Sequence, residues 1–378
     1  MQGGVADHTA HLAQHLVGLG VDVDVLTSIE AVTNLRAPVS DLQTYPIIAG
    51  WGLSCWRQIG RWLAKHRPDI LHIQYQAAAY DLGGWVNWLP WWLRRRRAWP
   101  RVVVTFHDLR VPYLFPKAGP MRERSVLALA RNSDAVIVTN VEDEQELRRA
   151  STSNILAHIP LGSNVQPQPP SDYDRNVWRA QNGIGERTLL LAYFGFLNES
   201  KGGEDLVLAL EHLVHHGYNA HLLMIGGQVG DVDPTNRAYA ERVRSLVQTR
   251  GLEELVNWTG FTSPEEVSAS LLAADVVVMP YRDGVSFRRT TFIAALCHGR
   301  PVVTTTPAVP LDELQDGENV LLAAARDIDS LAGSIARLAD DASLRARLSA
   351  GAETLGERFD WGVISQQTLD LYRRLELE

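Results

Sequence analysis

Cysteine is scarce in this sequence: Cys55 and Cys297 are the two in 378 residues, with no metal-ligand spacing between them. That excludes a disulfide framework and a cysteine-built zinc cluster, and it suits a reducing cytoplasm. Apolar runs are short; the one at 270–274 falls far below the ~20 residues that a membrane-spanning helix needs. No basic start precedes an apolar stretch with a small-residue cleavage site, so no secretory signal is read. Positive charge is not in excess, with 36 Lys+Arg against 44 Asp+Glu and a net charge of −8. A broad cationic field for nucleic acid is therefore absent. Low-complexity segments and repeats of 20–50 residues are also missing.

What the chain has is apolar material, 46% of residues, enough for two cores at this length. Short β-rich runs alternate with helical stretches. In the first half the runs fall at 21–27, 70–75, 102–106, 135–139 and 155–160, with helices near 7–18, 54–66, 122–132 and 142–150. In the second half the runs lie at 189–195, 221–226, 256–258, 276–280, 301–305 and 320–322. Helices are expected there near 203–217, 236–250, 264–273, 287–298, 327–339 and 343–356. Apolar runs separated by helices predict parallel sheets covered on both faces, an α/β class. Residues 162–176 are rich in turn formers and poor in periodicity, which is linker chemistry. Two doubly wound domains joined there are expected to face each other across a cleft, with ligands at the strands' carboxyl ends.

Several motifs carry chemistry. Gly3 and Gly4 precede a helix, so backbone N–H groups can approach an anion at its N-terminus; an ordinary glycine-containing helix start explains the pair equally well. His107 and Asp108 end the run at 102–106; His107 can donate to a sugar hydroxyl or backbone oxygen with Asp108 orienting it, or it is a satisfied structural histidine. Lys201 precedes a helix, where its ammonium can meet a phosphate, the alternative being a solvated loop lysine. The segment Asp283, Gly284, Val285, Ser286, Phe287, Arg288 and Arg289 follows the run at 276–280 and opens another helix. Arginine forks suit phosphate oxygens, but neighbours at i and i+1 point apart, so at most one is expected to reach a phosphate.

Tryptophan is unusually frequent, 11 in all, five of them within 85–99 beside Arg94, Arg95, Arg96 and Arg97. Trp91 and Trp92 with those arginines suit an anionic membrane surface, or they are packed core with solvated arginines. Pro90 argues against one long helix there.

Taken in order, these motifs resemble a GT-B fold glycosyltransferase of glycosyltransferase family 4, over nearly the whole chain. The resemblance is carried by Gly3-Gly4, by 69–74 with His72 and Gln74, by 105–108 and by 159–164. It continues through Gly195 to Gly202, Gly260-Phe261, 273–280, 294–302 and 316–322. It implies two Rossmann-like domains, 1–165 on the acceptor side and 166–358 on the nucleotide-sugar side. A helix at 359–378 is expected to cross back to the first, through Val363, Ile364, Leu369, Leu371, Tyr372 and Leu375. It implies a retaining transfer from a UDP- or GDP-sugar to a saccharide or lipid-linked acceptor, in envelope polysaccharide or glycolipid synthesis, without metal or cofactor. His107, Lys201 and Arg288 then carry catalysis. Gly3, Gly4, Gly195, Phe261, Asp283–Phe287 and Arg289 hold the donor, and His72, Gln74, Asp108, Trp91 and Trp92 lie on the acceptor or membrane side. The expected setting is cytoplasmic, peripheral on the inner face of the plasma membrane, with a homodimer as an option.

The sequence departs from the family pattern in three places. The usual Glu-x7-Glu pair falls at Ser286 and Ala294, so both glutamates are missing, and Ala294 cannot hold ribose hydroxyls. Phe196 stands where the lysine's usual arginine partner falls, with Arg288 or Arg289 able to compensate. Two residues before Gly3, at ~3.3 Å each, cannot form the strand that precedes this loop. A misassigned start, a sheet closed without that strand, or a strand from a partner would each resolve this. A catalytically degenerate binding protein or partner subunit is the alternative function. A GT-B epimerase is disfavoured because it wants cleft carboxylates. A nicotinamide dehydrogenase is disfavoured because no Gly-x-Gly-x-x-Gly follows a strand.

Overall fold

The computed structural model describes residues 4–32, 42–96, 99–109, 119–150, 155–227 and 234–377. They form two compact units. Unit 1 comprises the chain up to Gly162 plus the last helix from Trp361, and unit 2 runs from Ser163 to Asp360.

Unit 1 contains β1 (Asp24–Ser28), β2 (Gln43–Ile48), β3 (Ile70–Tyr75), β4 (Arg101–Phe106), β5 (Ala135–Val138) and β6 (Ile155–His158). β3 to β6 form one sheet in chain order, every pair parallel. β1 and β2 form a separate parallel pair. Among the described residues no ladder joins β1 to β3. β2 is a strand that the sequence reading passes over, because Gln43, Thr44 and Pro46 interrupt its apolar run. Pro46 is tolerated because β2 lies at a sheet edge and needs no amide there.

Period-two alternation builds two cores on the two faces of the β3–β6 sheet. Val102, Val104 and Phe106 of β4 join Trp62, Leu89, Leu93 and Leu129 on one face. Val103, with Ala135 and Ile137, joins Leu12 and Leu16 of the helix Gly4–Gly18 and the last helix, Trp361–Leu377, on the other. The last helix buries Trp361, Ile364, Leu369, Leu371, Tyr372 and Leu375. Val363, expected among its packing positions, is instead exposed at 40%. The expected set omits Trp361, which takes the inward position at the helix start.

Unit 2 contains β7 (Leu189–Phe194), β8 (Ala220–Ile225), β9 (Val256–Gly260), β10 (Val276–Met279), β11 (Val302–Thr305) and β12 (Leu321–Ala323). Their order is β12-β11-β10-β7-β8-β9, all parallel. β8, β10 and β11 are buried along their whole length, as strands covered on both faces must be. The order turns in opposite directions on either side of β7. The carboxyl ends of β7 and β10 are therefore the switch point at which sheets of this kind take a ligand.

Candidate functional site

β7 ends at Phe194, and the chain passes Gly195 into a 3-10 turn, Glu199–Lys201, before the helix Gly203–His215. Gly202 links turn to helix with a φ of 69°. A side chain there would collide with the backbone of Pro280 just after β10, so glycine lets the Lys201 turn lie directly on the next strand's end.

Arg282 fastens that turn from below. Its backbone N–H donates to the Ser200 carbonyl (2.7 Å). Its guanidinium donates to both Asp205 oxygens (2.6 and 2.9 Å) and to Glu204 Oε2 (3.1 Å). The Arg282 and Asp205 side chains are 12% and 11% exposed, so this ion pair is largely out of water. Sequence reading misses it, since the partners lie 77 positions apart; the signal available was two acids in the first turn after Lys201. Replacing Arg282 with methionine strands two partly buried carboxylates. Urea unfolding should show a loss on the order of 3 kcal/mol; an unchanged midpoint would discard the clamp.

Lys201 itself is half-buried and lacks a carboxylate or hydrogen-bond partner for its ammonium among the described residues. The ammonium lies over Gly195 beside Thr291: a Cβ built at Gly195 would sit 3.2 Å from both Lys201 Nζ and Thr291 Cγ2. Thr291 is in the first turn of the helix Thr290–Cys297, whose free N–H groups face the same region. Burial, with Arg289 adding like charge, pushes the lysine down to about 8. Arg289 caps that helix, and one of its nitrogens reaches both oxygens of Asp283 (2.6 and 2.8 Å). Its guanidinium also lies 4.8 Å from the Tyr281 ring centre. The one acid is already committed to Arg289, so the pair Lys201 and Arg289 retains a net positive charge.

Of the two adjacent arginines, Arg289 is the one in the field of Lys201. Val285 and Phe287, expected to touch the donor, are 2% and 8% exposed. Phe287 packs on Phe292 and Phe359, so the apolar residues of this loop anchor it rather than line it. Gly284 turns with φ 83°, and a Cβ there would meet the backbone of Thr306 and Ala308 at 2.7 Å. The Ser286 carbonyl accepts the Arg289 N–H (3.1 Å). Ala294 is fully buried, so its side chain contacts no ribose. Phe196 and Phe261, 48% and 66% exposed, both flank Gly227 at the ends of the β7, β8 and β9 strands.

In unit 1 the polar residues of β3 and β4 share one face: His72 pairs Val103, and Gln74 pairs Thr105. Gln74 Nε2 donates to His72 Nε2 (3.3 Å), as does the Thr105 hydroxyl (2.7 Å), so His72 Nδ1–H donates to the Tyr372 hydroxyl (2.6 Å). His107 Nε2–H donates to Gln74 Oε1 (2.9 Å), leaving Nδ1 as an acceptor. Burial pushes His72 down to about 3 and His107 to about 4, so both are neutral in use. The buried His8 ring sits edge-on to His107 at 4.7 Å, with Nδ1 unpartnered among the described residues. The structure thus corrects one assignment: Gln74, not Asp108, orients His107. His72 and Gln74, both partly exposed, join a network that reaches Tyr372 of the last helix. Gly4 begins its helix with open space where a Cβ would stand, and Gly3 lies outside the described residues.

Two family descriptions match this chain: a glycosyl transferase 4-like domain over residues 3–162 and glycosyl transferases group 1 over residues 174–354. D-inositol 3-phosphate glycosyltransferase of Corynebacterium diphtheriae is 27% identical over 398 residues, spanning 98% of this chain and 89% of that protein. Among solved structures, sucrose-phosphate synthase from Thermosynechococcus elongatus is similar at a TM-score of 0.75 and 25% identity, over 97% of this chain and 92% of that one. Anabaena HepE, solved with UDP and glucose, is similar at 0.73 and 18%, over 97% and 96%. With a 4-like first unit and a group 1 second unit on two parallel α/β sheets, the chain belongs to the GT-B glycosyltransferases.

Proposed function

We propose that the chain is a retaining glycosyltransferase that moves a sugar from a UDP- or GDP-sugar to a saccharide or lipid-linked acceptor, with an inositol-type acceptor as the first to try. The observation that carries the donor assignment is the partly buried Lys201 ammonium beside Arg289 and a helix N-terminus, without a carboxylate of its own. A diphosphate supplies the missing negative charge. As the C1–O bond to the diphosphate breaks, charge grows on the departing phosphate, and Lys201 with Arg289 stabilises it most at that moment. The acceptor oxygen bonds C1 on the same face, and its proton passes to the departing phosphate oxygen. The exposed rings of Phe196 and Phe261 offer the base a stacking surface. In unit 1, His107 is held neutral by burial and keeps Nδ1 as a hydrogen-bond acceptor. The donor charge is met by these residues, so a metal-independent reaction is expected.

Non-catalytic sugar binding is the second reading, favoured by Ser286 and the buried Ala294 at the two positions of the family's glutamates. A panel of UDP- and GDP-sugars with an inositol phosphate acceptor separates the two. Product with the donor's anomeric configuration supports the enzyme; donor binding without turnover supports the second reading, and inverted product refutes retention.

A further inference from the structure

Three exposed tryptophans of unit 1 lie on one short stretch. Trp85, Trp88 and Trp91 are 44%, 41% and 36% exposed. They are three residues apart, and the backbone between them forms a 3-10 turn, Val86–Trp88, then the helix Leu89–Leu93. A spacing of three in such turns brings the rings to one side. Val86, Leu89, Pro90 and Leu93 point the other way and are buried. Trp92 goes with them: it packs against Trp56 (5.7 Å) and Trp99 (5.9 Å), and a Cβ on Gly60 would touch its ring at 2.8 Å. The expected pair Trp91 and Trp92 therefore divides, Trp91 outward and Trp92 into the core. Leu53, 48% exposed, lies one turn before Trp56, which in turn donates its indole N–H to the Trp85 carbonyl (2.8 Å).

Charge around these rings is opposite to that of the chain. Residues 42–107 hold nine Lys/Arg against two Asp/Glu, whereas the whole sequence has 36 against 44. Arg94, Arg95 and Arg96 follow the last ring directly, and the Arg95 guanidinium lies 3.5 Å over Trp91. Arg94 is partly offset by Asp134 at 3.5 Å. On the neighbouring helix, Ser54–His66, Arg57 and Arg61 are exposed one turn apart, and that helix carries no acid. Exposed indoles with polar edges, in a segment with a surplus of arginine, fit a headgroup layer: rings sit at its apolar boundary while guanidinium groups meet lipid phosphates.

We propose that Trp85, Trp88 and Trp91 with the surrounding arginines dock unit 1 on an anionic bilayer surface. The full chain should sediment with vesicles of phosphatidylglycerol and phosphatidylcholine but not with phosphatidylcholine alone, and less as salt rises. Changing all three exposed tryptophans to serine should cut partitioning at least about tenfold with little change in thermal midpoint, since the rings lie outside the core. Arg95→Gln and Arg96→Gln should each cost about fivefold by removing one positive charge. Equal binding to neutral vesicles, or no binding at low salt, overturns the proposal. So does self-association that the tryptophan changes abolish in protein that ignores vesicles, which makes the patch a protein interface.

Discussion

Replacing Lys201 with alanine is expected to weaken binding of a nucleotide sugar by roughly 10- to 150-fold, the loss of one charge-assisted contact of about 1.5–3 kcal/mol. The reason lies in what surrounds the ammonium. It is taken partly out of water, has no carboxylate beside it, and shares its field with Arg289. Such a group is held below its ordinary range, at about 8, until an anion arrives. The wild-type protein should therefore lose affinity as pH rises through that value, by up to about tenfold per unit, because the deprotonated lysine no longer attracts the diphosphate. Lys201→Ala should flatten this dependence as well as weaken binding. Titration calorimetry across pH 7 to about 9.5 reads both effects. Unchanged affinity, or an unchanged pH slope in the variant, removes Lys201 from the phosphate site.

The second large effect is loss of stability in mild acid. His72 and His107 in unit 1 and His298 in unit 2 are neutral, buried and hydrogen-bonded. Burial pushes them down to about 3, 4 and 4. His298 donates from Nδ1 to the Ala294 carbonyl (2.7 Å) and accepts the Ser268 hydroxyl at Nε2 (3.0 Å). The folded pKa of each lies below the unfolded value near 6.5, so the unfolded chain takes up protons first. Their contribution is complete above about pH 6.5 and is lost as pH falls toward the folded values. At pH 5 the loss is roughly 2 kcal/mol per histidine. Urea midpoints should hold steady from pH 8 to about 7 and drop from about 6.5 downward. His72→Gln, which keeps a polar side chain but cannot titrate there, should reduce the slope. A flat profile down to about pH 5 would show that these rings accept protons without cost.

Much of this was legible in the sequence, and the parts that were not share a physical cause. Apolar β-rich runs identified eleven of the twelve strands; β2 escaped because a paired edge strand can carry Gln43, Thr44 and Pro46. The helix at 54–66 coincides with Ser54–His66, where an acid-free amphipathic run ends in a left-handed Arg67. The helix expected at 287–298 begins only at Thr290, because Phe287 is drawn into the core by Phe292 and Phe359 and keeps the entry loop folded back. In the site, Lys201 announced itself by preceding a helix after a strand. Its supports did not, since they are long-range: Arg282 meets Asp205 across 77 positions, and His72 meets Tyr372 across 300. Local pattern also cannot tell which of two neighbouring tryptophans or arginines turns inward. Burial separated Trp91 from Trp92, and the field at Lys201 separated Arg289 from Arg288.

The donor site can be tested through the proton that binding should bring with it. At about pH 8.5 the nucleobase N–H of a UDP- or GDP-sugar is still mostly protonated, whereas free Lys201, at about 8, is mostly deprotonated. Calorimetry of UDP- and GDP-sugar binding at that pH, in buffers of different ionisation heat, should show net proton uptake on donor binding. Uptake should vanish in Lys201→Ala. Binding without proton uptake in the wild-type protein, or the absence of binding by any donor in the panel, would contradict a diphosphate held at Lys201.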